Sequence, residues 1–98
     1  MKFRVDVLNR AIEDIQKGVD YYNSEKSGLG DDFYDEVDAF IYDIAKNPLY
    51  QIRYKNIRCL PLKRFPFMIH FSVDEKIKVV KVHAIVNTSR NPSEHWVK

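Results

Sequence analysis

The chain has one cysteine, one tryptophan, three glycines and no long apolar run. A lone Cys59 allows no internal disulfide, which sets aside the disulfide-stapled secreted scaffolds and suits a reducing, cytoplasmic setting. Without about 20 consecutive apolar residues, no membrane-spanning helix is expected. No charged segment followed by an apolar stretch opens the chain, so no signal peptide is expected. No glycine-rich phosphate loop occurs, nor the G-x-S-x-G elbow of a serine hydrolase. Cys59, His70, His83 and His95 lack the close pairing of zinc ligands, so neither a metal nor another cofactor is expected. Acid is missing locally as well: none stands between Asp43 and Asp74.

What is present is divided by charge. Ninety-eight residues suffice for one domain, 1–98, with a core of its own. Residues 1–49 hold six lysines and arginines against eleven aspartates and glutamates, a balance of −5; residues 50–98 hold ten against three, a balance of +7. The acid-free stretch carries Lys46, Arg53, Lys55, Arg58, Lys63 and Arg64 with Tyr50 and Tyr54 among them. Such a stretch suits phosphates and base stacking, or equally a solvated basic face that docks an acidic protein.

Periodicity divides the chain again. Residues 2–8 alternate apolar and polar and read as a strand. Asn9 is the expected N-cap of a helix over Asn9–Glu25, with Leu8, Ala11, Ile12, Ile15, Val19 and Tyr22 as its apolar stripe. Residues 27–30 break that helix. Asp31, Asp32, Asp35 and Glu36 favour the start of a second. Its stripe is Phe33, Val37, Phe40, Ile41 and Ile44, and Asn47-Pro48 stops it. The period then becomes two. Strands are expected over 57–62, where Pro61 favours an edge or bulge, over 66–73 and over 76–86, with Asp74-Glu75 as the hairpin turn. In the last strand Val80, Val82, Ala84 and Val86 should pack on the helices. Met68, His70, Lys81 and His83 should share the opposite, exposed face. The fold class is therefore α+β: β-α-α-β-β-β, a helical hairpin on one face of a small curved, mostly antiparallel sheet.

Residues 64–96, RFPFMIHFSVDEKIKVVKVHAIVNTSRNPSEHW, place an arginine and an aromatic just past the last strand. With the acidic helical hairpin ending at Asn47-Pro48, this pattern resembles the RelE/ParE toxins of bacterial type II toxin–antitoxin (plasmid stabilisation) pairs, over residues 3–96. The resemblance implies a growth-arresting toxin neutralised by a cognate antitoxin, a partly disordered chain that orders on binding. Two targets follow from it. A RelE-like chain is a metal-independent RNase acting on ribosome-bound mRNA, which requires an acid, a base and cations at the phosphate. Arg58, Lys63, Arg64, His83, Arg90 and His70 are the candidates for those catalytic roles. A ParE-like chain binds DNA gyrase and hydrolyses nothing. Its target-binding candidates are Arg90, Trp96, Lys81 and His70. Met68 stands where the RNases carry an arginine and Trp96 where they commonly carry a tyrosine, which turns the reading toward the ParE-like branch. A decayed toxin that only binds antitoxin is the third possibility.

Overall fold

In the computed structural model, which describes residues 2–89, the chain runs β1 (Arg4–Val7), α1 (Asn9–Glu25), α2 (Leu29–Lys46), β2 (Ile52–Tyr54), β3 (Ile57–Pro61), β4 (Phe67–Asp74) and β5 (Val79–Asn87). The strands form one sheet in the order β1-β5-β4-β3-β2. β1 lies parallel to β5; the other pairs are antiparallel. This is the expected α+β class with one strand more, the three-residue edge β2 inside the basic segment. No described helix is long and apolar enough to cross a membrane.

Both helices bury one stripe. Ala11 of α1 and Phe33, Val37 and Ile44 of α2 meet Ile69 and Phe71 of β4 and Val80, Val82 and Ile85 of β5. Phe33 sits in an aromatic cluster, its ring centre 5.4 Å from Tyr22, 5.3 Å from Phe65 and 5.0 Å from Phe67. Ile12, expected in the stripe, is instead 52% exposed. Two glycines let the helices approach closely. A Cβ on Gly18 would overlap the Phe33 ring, and one on Gly30 would meet the Val19 carbonyl. Asn9 proves to be the first helical residue and not the N-cap; Leu8 holds that position with no side-chain cap. Between the helices Gly28 takes φ 89°, a left-handed conformation that suits glycine.

The sheet departs from simple alternation at two places. The β4–β5 turn spans four residues, 75–78, and is braced by Asp74 Oδ1, which accepts from the amides of Lys76 (3.0 Å) and Ile77 (3.3 Å). Farther along, the β4–β5 register shifts between His70 and Phe71: Phe71 pairs with Val82, but His70 pairs with Ala84. His83 is the extra residue of this β-bulge. The shift reverses the expected facing of the strand's end, so Ile85 enters the helix-side core while Ala84 and Val86 lie opposite His70 and Met68 on the other face. Pro61 closes β3 opposite Met68, beyond the last residue that β2 pairs, where no amide is required of it.

Candidate functional site

The sheet face turned away from the helices collects the polar residues. Directly paired residues project to the same face, so the pairs Tyr54–Ile57, Cys59–His70, His70–Ala84 and Ser72–Lys81 place these side chains together. Within this set the Tyr54 hydroxyl and His70 Nδ1 are 2.9 Å apart, and the Ser72 hydroxyl and His83 Nε2 are 2.7 Å apart. The bulge brings His83 to Ser72 while leaving Ala84 beside His70.

His70 was expected on an exposed face. It lies on the expected face but is fully buried. Tyr54, carried in by the unanticipated β2, reaches its ring. Burial, reinforced by the positive charge of Arg10 and by His83 and Arg53, pushes the His70 pKa down to about 4. At neutral pH it is an uncharged hydrogen-bonding group. It is neither an exposed contact residue nor an acid with a proton to give. His83 is half-buried, and burial with Lys81 nearby lowers its pKa too. Cys59 is buried, and its thiol is pushed up by that burial, so it is a protonated packing residue and not a nucleophile. Lys81 is exposed, as expected.

The other candidates lie elsewhere. Arg58 pairs with Phe71 and so projects to the helix-side face, where its Nη1 donates to the Tyr50 carbonyl at 2.6 Å. Its Nε is buried with no hydrogen-bonding partner among the described residues. Lys63 and Arg64 occupy the β3–β4 turn, fastened to α2. Glu36 Oε2 accepts from the Lys63 amide at 2.6 Å and the Arg64 amide at 3.1 Å, and the Arg64 guanidinium stands 3.5 Å from Asp32. That turn precedes Phe67, whereas His83 lies beside Ser72. Five residues of strand, roughly 15 Å, separate the two. Arg90 and Trp96 lie outside the described residues.

Among the described residues no group of three or more histidines, cysteines or carboxylates is placed to hold a metal ion. Among the described residues the face thus brings together two neutral histidines with hydroxyl partners and the exposed Lys81, with the charge of Arg53 close enough to act on His70.

Sequence reasoning missed three residues that shape this part of the sheet. Tyr54 was read only as part of a basic stretch. Asp14, on α1, accepts from the Ile85 amide at 3.0 Å, where β1 has already ended and offers no partner. Arg10 lies 3.7 Å from Asp14 and contributes to the low His70 pKa. One signal was present: the run Ala84-Ile85-Val86 is apolar at consecutive positions, which strict alternation does not produce.

A helical hairpin on a five-stranded mixed sheet with β1 parallel to β5 defines a small α+β class. Comparison with solved structures identifies its fold as that of the RelE/ParE toxins. The E. coli toxin RelE in the free state, as an arginine double mutant, superposes with TM-score 0.71 at 13% identity, covering 97% of this chain and 93% of that one. A chain of the intact E. coli RelBE toxin–antitoxin complex gives 0.68 at 15% identity, covering 90% and 99%. A chain of the chromosomal ParDE system of P. aeruginosa gives 0.65 at 17% identity, covering 88% and 96%. No protein-family model and no curated protein matches the sequence.

Proposed function

We propose that this chain is the toxin of a type II toxin–antitoxin pair and acts as ParE-type toxins do, by protein contact with DNA gyrase. The toxin reading rests on the chain-long resemblance and on neighbours that are themselves toxins or chains of toxin–antitoxin complexes. The choice of contact over RNA cleavage rests on one observation: among the described residues, those an RNase would need are dispersed. Arg58 is turned to the helix side, the backbone amides of Lys63 and Arg64 are held to α2 by Glu36, with the Arg64 guanidinium beside Asp32, and His70 is buried and neutral. Metal-free RNA cleavage needs cations and a titrating acid–base pair around one phosphate. Of the described candidates, His83 alone stays half-buried on the open sheet face, beside the exposed Lys81. The same face, with Lys81 exposed, suits contact with a protein. A cognate antitoxin is the partner that neutralises the toxin.

Induced expression in bacteria tests this reading. Growth arrest, rescue by the co-expressed antitoxin and a DNA-damage response without new mRNA cleavage are expected. Arrest with mRNA cut inside codons and no damage response would assign the RelE-type activity instead. Normal growth with soluble, folded protein present would make it an inactive relative.

A further inference from the structure

The β-bulge brings Ser72 and His83 into contact. A regular β4–β5 ladder continuing from Phe71 and Val82 would set His83 opposite His70, a diagonal step away from Ser72. The bulge gives that place to Ala84, and His83 Nε2 lies 2.7 Å from the Ser72 hydroxyl. Bulges re-aim side chains in this way, often beside functional sites. Lys81 pairs with Ser72 across the strands, so it shares that face, and it is exposed. Ser72 also lines a cleft of about 480 Å³, together with Asn56, Asp74, Lys76, Val79 and Lys81. The Asp74 carboxylate is engaged in the turn, where it accepts from the amides of Lys76 and Ile77. The cleft is large enough for a small organic substrate.

We propose that Ser72 and His83 form a nucleophile–base pair that takes the acyl group of an activated ester in this cleft and passes it to water. A serine hydroxyl becomes a nucleophile when a base within hydrogen-bond reach removes its proton. Burial and the nearby Lys81 keep the His83 imidazole neutral at neutral pH, and with the ring proton on Nδ1 its Nε2 accepts from the hydroxyl. In the first step Ser72 Oγ bonds to the ester carbonyl carbon and its proton passes to Nε2. Lys81 and Asn56, which line the same cleft, supply donors for the oxyanion that develops. The ester C–O bond then breaks, and the imidazolium returns its proton to the departing oxygen. Water reverses the sequence: it adds to the acyl carbon, its proton passes through Nε2 to Ser72 Oγ, and the carboxylic acid leaves. Among the described residues no carboxylate holds Nδ1, so the pair lacks the third member that orients the base in a triad. That sets amides aside and restricts the substrates to esters with good leaving groups, aryl esters above all. Ser72 has no part in the gyrase contact proposed above, nor is it among the residues an RNase would need, so the dyad stands or falls separately.

The test mixes the purified full chain with excess p-nitrophenyl acetate. A rapid release of nitrophenol, one per chain, followed by slower steady turnover is expected, with the acetyl group found by peptide mass mapping on Ser72. Ser72→Ala should abolish the rapid phase. Ser72→Cys keeps a nucleophile at the same place and should keep that phase, which separates loss of the hydroxyl from loss of the fold. His83→Gln should slow acylation about 10²-fold, the effect of removing a positioned base. Ser24→Ala, at an exposed serine of α1, should leave the rapid phase unchanged. A rapid phase that survives Ser72→Ala, acetyl groups confined to lysines, His83→Gln reacting at the parent's rate, or no acylation of Ser72 at all would each overturn the proposal.

Discussion

His70 is the residue whose environment departs most from its type. Unfolded, its imidazole titrates near the ordinary 6.5; folded, burial holds it at about 4. Between those values the unfolded chain binds more protons, so stability is full above about pH 6.5, falls as pH drops toward about 4 and levels off below. The gap corresponds to roughly 3 kcal/mol, a large part of the stability of a small domain. His83, lowered in the same direction, adds to the loss. Urea unfolding between about pH 7 and pH 4 should record a decline that His70→Gln makes shallower, even if that variant is less stable throughout. An unchanged slope in the variant would show that His70 does not carry the acid sensitivity. This burial was not legible in the sequence. Face membership follows from alternation, and His70 does lie on the expected face; its cover comes from Tyr54 on a three-residue strand that no periodicity announced.

At the scale of elements, the helices were the legible part. The bounds Asn9–Glu25 follow from the apolar stripe and the break at 27–30, and Asn47-Pro48 ends α2 because a residue before proline avoids the helical region. The bulge was not legible, since it is settled by what surrounds the strand. The amide of Ile85 needs an acceptor where β1 has ended, and Asp14 from α1 supplies one. Asp14→Ala should leave that amide unsatisfied and cost about 1–3 kcal/mol in urea unfolding. Asp14→Asn retains an acceptor oxygen and should lose less; equal losses would mean that charge, not the hydrogen bond, matters there. The contact between the helices is tested at Gly18. Alanine is the better helix former by about 1 kcal/mol, yet its methyl would come within 2.7 Å of Phe33 Cζ, in a ring cluster with no room to yield. Gly18→Ala should therefore destabilise the protein by about 1–2 kcal/mol net, read as a lower melting temperature. A higher one would show that the helices separate without penalty.

For the whole molecule, the division of charge in the sequence becomes a division of surfaces: an acidic helical side and a basic sheet side. The candidate site was legible only in part. The sequence-based list joined residues of one charge, but the fold turns Arg58 to the helix side, binds the Lys63–Arg64 turn to α2 and leaves Lys81 and His83 on the open face. Residue type and spacing do not determine which face a basic residue takes when a neighbouring carboxylate or carbonyl can capture it. That dispersal is the ground on which we propose contact with gyrase and not RNA hydrolysis. The most direct measurement sets two activities of the purified protein side by side: inhibition of DNA supercoiling by gyrase, and cleavage of mRNA on ribosomes. Inhibited supercoiling, relieved by Trp96→Ala and by Lys81→Glu, with mRNA left intact, is the predicted result. Efficient mRNA cleavage abolished by Arg90→Ala, with supercoiling untouched, would contradict it.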